Sequence, residues 1–178
     1  METQQLLENF FRKRTLALCF LLMTLLAQGE GASIKPSCKL KKSSFQGNFI
    51  SNQTISLARM ASLSDNDTST RLLEHSMFKH VEDTNRCYLM KEILNLVLKE
   101  VSPSYPQKFE QYLRDVWPYL HNIRNRLGGC ALKGNGSDVQ RQIDNMKCKL
   151  KQLGKNGVIK IISELDLLLL LLQNHCAY

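Results

Sequence analysis

The side chains able to do chemistry in this 178-residue chain are six cysteines and four histidines, and their spacing argues against catalysis. Cys19, Cys38, Cys87, Cys130, Cys148 and Cys176 lie far apart, so no pair forms the CxxC of a redox centre or zinc site. His75, His80, His121 and His175 do not share a helical face at metal-ligand spacing. The adjacent His175 and Cys176 could be read as a nucleophile beside a base, but neighbours in sequence need not be partners in space. HExxH, GxSxG, P-loop and Rossmann glycine patterns are all missing. No catalytic residue, metal or cofactor is therefore expected. The cysteines read instead as cross-links: Cys19 lies in an N-terminal apolar run, Cys38, Cys87, Cys130 and Cys176 read as structural, and Cys148 has no evident partner. Spacing leaves the pairing open, because five thiols beyond the N-terminal run allow fifteen ways to make two bonds.

Disulfides need an oxidising compartment, and the N-terminus supplies the address. Arg12, Lys13 and Arg14 precede an apolar stretch from Thr15 to Ala27, and Gly29, Gly31, Ala32 and Ser33 follow it. A basic region, a short apolar region and a small-residue exit describe a secretory signal peptide, too short for a bilayer span. Residues 1–31 are thus expected to be removed at the Gly31–Ala32 bond, leaving a helical domain over residues 32–178, soluble, secreted and extracellular. The later run Leu167–Leu172 is only six residues long and follows Lys160, Glu164 and Asp166, which suits a buried helix better than a membrane anchor.

Asn52-Gln53-Thr54, Asn66-Asp67-Thr68 and Asn135-Gly136-Ser137 are N-glycosylation sequons, so Asn52, Asn66 and Asn135 are expected on the surface. The net charge of +8 is unchanged by loss of the leader, which carries three bases and three acids. Basic groups gather at Lys39, Lys41 and Lys42, at Arg124 and Arg126, and at Lys147, Lys149 and Lys151. Such a balance suits heparan sulfate and other anionic surfaces. Secretion and the lack of a reading motif disfavour nucleic acid, and no membrane insertion is expected.

The elements that must position these residues are helices. Val139, Ile143, Met146, Leu150 and Leu153 step by three and four, with Ser137 and Gln140 as a capping box and Gly154 as the stop. Phe109, Leu113, Val116, Leu120, Ile123 and Leu127 make a second seam over about 105–127, with a kink expected at the interior Pro118. Cys87, Met90, Leu94, Val97 and Val101 make a third, and residues 158–173 a fourth, apolar on nearly every face in its second half. Weaker patterns predict helices over about 49–63 and 69–79, joined by the polar stretch 64–68. The expected class is an all-α bundle of about six helices.

Several short runs carry a family resemblance. They include Cys38-Lys39-Leu40, Asn52-Gln53-Thr54, Asp65-Asn66-Asp67-Thr68 and Arg86-Cys87-Tyr88-Leu89-Met90-Lys91. Further along come Lys151-Gln152-Leu153-Gly154, Ile162-Ser163-Glu164-Leu165-Asp166-Leu167-Leu168 and Asn174-His175-Cys176. Together they cover essentially the whole chain after the leader, which resembles the interleukin-10 family of class II helical cytokines. The resemblance implies a six-helix, interleukin-10-like bundle with two intrachain disulfides, Cys38 to Cys130 and Cys87 to Cys176. It implies a binding protein rather than an enzyme: one face engages a specific class II receptor chain, and a second recruits the shared interleukin-10 receptor beta chain. Janus kinase and STAT signalling would follow, chiefly in epithelial and other non-haematopoietic cells, and a soluble decoy receptor would compete for the first face.

By resemblance the first face comprises Arg59, Asp65, Thr68, Ser69, Thr70, Arg71, Lys160 and Glu164, with Arg71 central because its planar donor group suits a buried contact. The second comprises Phe49, Asn52, Gln53, Tyr112 and Asp115, with the two aromatics as anchors. Ser69 stands where the family pattern has an acid, Phe49 where it has tyrosine and Gln53 where it has arginine. Cys148 lies off the apolar seam of its helix, so an exposed free thiol is expected there, able to bridge two molecules. The rival reading is a secreted cationic helical protein acting by summed charge on microbial membranes or heparan-type polysaccharide.

Overall fold

A computed structural model describes residues 38–45, 47–101 and 106–178. The leader, its cleavage bond and Cys19 fall outside the described residues. The described chain is helical apart from one isolated parallel bridge. In order, the α-helices are α1 (Asn48–Ser62), α2 (Asp83–Val101), α3 (Glu110–Arg126), α4 (Ser137–Leu153), α5 (Asn156–Ser163) and α6 (Leu165–Cys176). Short 3-10 turns occupy Lys42–Ser44, His75–Phe78 and Gln107–Phe109.

Helix α2 forms the axis of the bundle. Its seam residues Cys87, Met90, Leu94, Val97 and Val101 are buried, and so are Leu89, Ile93 and Leu98, so apolar groups point in several directions. A helix of that kind must be surrounded, and α3, α4, α5 and α6 all pack against it. Helix α1 covers the other side of the bundle, packing on α3, α5 and α6 through Leu57, Ala58 and Ala61. The seam of α3 is buried from Leu113 to Ile123 and continues into Leu127, and the helix runs through Pro118 without a break. Each large aliphatic side chain withdrawn from water in this way contributes about 1.5–3 kcal/mol before the entropic cost of ordering.

Two features expected of the helices are different in the structure. No helix spans 69–79; only His75–Phe78 turns, as a 3-10 segment. The apolar pattern of Leu72, Leu73 and Met77 is real, since all three are buried. Their backbone, however, finds other partners: the N–H groups of Leu72 and Leu73 donate to the carboxylate of Glu164 instead of to carbonyls four residues back. The final helix, conversely, is two helices. It breaks at Glu164, whose φ of −110° and ψ of 12° leave helical geometry. The described bundle therefore has six α-helices, but one predicted helix is lost and another is divided. The expected capping box is also absent: Ser137 lies inside α4, its N–H held by the side-chain carbonyl of Asn135, while Gln140 bonds Asp144. Gly154 does end α4, at a φ of 55° that only glycine adopts without strain.

Two disulfides close the bundle, Cys38–Cys130 and Cys87–Cys176. The first ties the segment before α1 to the loop after α3, and the second joins the start of α2 to the end of α6. Their sequence separations of 92 and 89 residues correspond to roughly 4–5 kcal/mol each in the chain-entropy account. Polar bonds reinforce both. Leu40 N–H donates to the Cys176 carbonyl at 2.7 Å, and Tyr178 N–H returns to Leu40 at 3.1 Å. The buried Asn85 exchanges two bonds with the Lys133 backbone, and Lys91 donates to the Cys130 carbonyl. Among the described residues no helix is long and apolar enough to cross a membrane.

Candidate functional site

The segment between α1 and the His75–Phe78 turn lacks a helical ladder, so side chains must order it. Asp67 does so locally. Its carboxylate accepts the backbone N–H groups of Ser69 and Thr70, both at 2.9 Å, and their hydroxyls at 2.8 and 2.7 Å. Those donors, with the Thr70 hydroxyl first, hold the Asp67 carboxyl well below the usual carboxylate range. Asp65 in turn accepts the Asp67 N–H at 3.1 Å.

Long-range contacts then fasten the segment to the α5–α6 junction. Lys160, on the buried side of α5, donates to the Asp65 carboxylate at 2.9 Å and to the Asp67 carbonyl at 2.7 Å. The two charged side chains are only 7% and 8% exposed. Glu164, four residues on, lies 3.9 Å from the same ammonium and accepts Leu73 N–H at 2.8 Å and Leu72 N–H at 3.1 Å. Burial pushes the Glu164 carboxyl up, against those two backbone donors and Lys160, which pull it down. From α4, Lys149 pairs with Glu74 at 2.8 Å and donates to the Arg71 carbonyl. Its hydrogen bond, followed by that from Ser76, lowers the Glu74 carboxyl.

The structure therefore divides the residues assigned to the first face. Asp65, Lys160 and Glu164 come together, but Lys160 is buried and all three direct their charges inward. Thr68, Ser69 and Arg71 are exposed on the segment they hold, with Thr70 half-buried among them. Arg59 is exposed in the last turn of α1. Asp67, Glu74 and Lys149 were missed from sequence. Asp67 had a signal, an aspartate two and three residues before hydroxylated side chains, the pattern of an Asx turn. The Lys149–Glu74 pair, joining residues 75 apart, had none.

The second set lies on α1 and α3, which pack side by side. Phe49 is 60% exposed, an unusual position for a large aromatic ring. Asn52 and Gln53 lie three and four residues on, hence on its side of α1, exposed and half-buried respectively. Tyr112 and Asp115, one turn apart on α3, are both half-buried. Asn52, Asn66 and Asn135 are all exposed, and Cys148 is an exposed, unpaired thiol on α4. His175 stacks on Phe78 with ring centroids 4.0 Å apart, and its buried Nε2 has no hydrogen-bond partner.

An all-helical bundle with these two long-range staples is the fold of an interleukin-10-like helical cytokine. The model of the family described as interleukin 22, IL-10-related T-cell-derived-inducible factor, matches residues 38–176, from the first structural cysteine to the last. The chain is 41% identical to human (Homo sapiens) interleukin-22 over 174 residues, covering 97% of each protein. It is 39% identical to mouse (Mus musculus) interleukin-22b over 161 residues, covering 90% of each. The chain belongs to the interleukin-22 family. It is a cytokine, not an enzyme, and its partners are receptors.

Proposed function

We propose that the chain is a secreted cytokine that assembles two receptor chains with two separate surfaces. The first surface, centred on Arg71, binds the interleukin-22 receptor alpha-1 chain, and the soluble interleukin-22 binding protein competes for it. The second, anchored by Phe49 and Tyr112, then recruits the interleukin-10 receptor beta chain. Their juxtaposition starts Janus kinase and STAT signalling in epithelial and other non-haematopoietic cells. Residues 1–31 serve as the secretory leader, and residues 32–178 are the mature domain, glycosylated at one or more of Asn52, Asn66 and Asn135.

The observation that carries this reading is the ordered segment Thr68–Arg71, a non-helical stretch kept exposed by a network that spans α4, α5 and the α5–α6 junction. A surface serving only solubility has no need of such bracing. The charge-driven alternative has less support, because the basic side chains of α4 are largely matched: Lys147 with Asp144, Lys149 with Glu74 and Arg141 with Asp138. Heparan sulfate is accordingly an accessory partner in this scheme. Replacing Arg71 with Glu should abolish capture by the alpha-1 ectodomain while barely shifting elution from heparin. Activity that instead followed total lysine number would reverse the assignment.

A further inference from the structure

The family resemblance assigns Asp65, Lys160 and Glu164 to the first receptor face, yet their charged groups bond within the molecule. We propose that these three are positioning residues, holding the Thr68–Arg71 segment in its binding conformation while Arg71 and its exposed neighbours make the contact. The proposal rests on the receptor reading above.

The geometry is that of a two-point clamp. Lys160 and Glu164 are one helical turn apart in sequence at the α5–α6 junction, and they grip opposite ends of the same four-residue segment. On its N-terminal side Lys160 holds the Asp65 carboxylate and the Asp67 carbonyl. On its C-terminal side Glu164 holds the N–H groups of Leu72 and Leu73. Between the two grips Asp67 ties down Ser69 and Thr70. No helical ladder constrains this backbone, and among the described residues only Lys149 of α4 holds it from afar besides the grips, at the Arg71 carbonyl. Losing a grip therefore moves part of its ordering cost to the moment of binding. With them, the conformation exists before the receptor arrives.

Amide exchange in the free mature chain and binding to the alpha-1 ectodomain test this together. Glu164→Ala should speed exchange at the Leu72 and Leu73 amides at least tenfold more than at the core amides of Leu94 and Leu120, which follow global stability. Affinity for the ectodomain should fall by roughly tenfold, the size of an ordering cost moved into the binding step. Glu164→Gln, which keeps one acceptor oxygen, should recover part of both effects. The double variant with Arg71→Ala should lose much less than the product of the single losses, because Glu164 acts through Arg71. Should Glu164→Ala fold poorly, Asp65→Asn provides the same comparison from the other grip. Unchanged exchange at Leu72 and Leu73, with losses that simply multiply, would make Glu164 a direct contact and overturn the proposal. If Arg71→Ala bound like the parent chain, the receptor reading would fall, while the exchange result would still decide whether the clamp exists.

Discussion

Replacing Asp65 with alanine removes one half of a buried ion pair and should be among the most damaging changes outside the core. The Lys160 and Asp65 side chains are 7% and 8% exposed and 2.9 Å apart. Breaking such a pair from one side leaves a desolvated charge behind, at a cost of about 3–5 kcal/mol. Two contacts soften the loss: the Asp67 carbonyl stays 2.7 Å from the ammonium, and the Glu164 carboxylate stays 3.9 Å away. The lower end, about 3 kcal/mol, is therefore expected. For a chain of this size that corresponds to roughly 10 °C in Tm. In urea, at a slope of about 2 kcal/mol per M, it corresponds to a midpoint lower by about 1.5 M. Equilibrium urea unfolding with both disulfides intact gives the number directly. Replacing the pair together, as Asp65→Leu with Lys160→Met, removes both charges and should cost no more than about 1–2 kcal/mol, mainly for the Asp67 carbonyl and N–H that lose their partners. A loss below about 1 kcal/mol for Asp65→Ala, or simple additivity in the double variant, would refute the view that this pair is desolvated and mutually dependent.

Three further outcomes follow from the same contacts. His175 is held neutral by its burial and then by the neighbouring Arg86 and Lys39, so its folded-state pKa lies below the ordinary value of 6.5. A depressed histidine contributes stability above its unfolded pKa and loses it as pH falls through the folded one. Tm should thus drop on acidification from pH 7 to pH 5, and His175→Gln should flatten that part of the profile; an unchanged profile would exclude His175 as the cause. Removing the Cys87–Cys176 bond by double serine substitution should cost about 4 kcal/mol in urea unfolding, given its 89-residue separation. Cys148→Ser should change stability by less than about 0.5 kcal/mol and abolish any reducible dimer on a non-reducing gel, whereas a dimer that survived would place the link elsewhere.

Much of the bundle was legible in the sequence because burial writes a period of 3.6 into α2, α3 and α4. Those seams, and the glycine that stops α4, agree with the structure. The two misread helices share one residue. Glu164 interrupts the last apolar helix, and its carboxylate accepts the Leu72 and Leu73 N–H groups that a helix over 69–79 would have turned to its own carbonyls. Neither effect has a local signature, since the partners are about 90 residues apart. The same distance hid the burial of Lys160, which in sequence looks like any polar position on an amphipathic helix. Family resemblance singled out Asp65, Lys160 and Glu164 in this region, but not that their charges point inward, nor that Asp67, Glu74 and Lys149 join them.

The account as a whole turns on two surfaces used in order, and sequential capture of the receptor ectodomains tests that most directly. The mature chain, passed over immobilised interleukin-10 receptor beta ectodomain, should bind weakly alone and much more strongly once preloaded with the alpha-1 ectodomain. Phe49→Ala should remove the second step and leave the first intact, and Arg71→Glu should remove both. Equal capture of the beta chain with and without the first chain, or loss of both steps in Phe49→Ala, would contradict assembly through two separate faces.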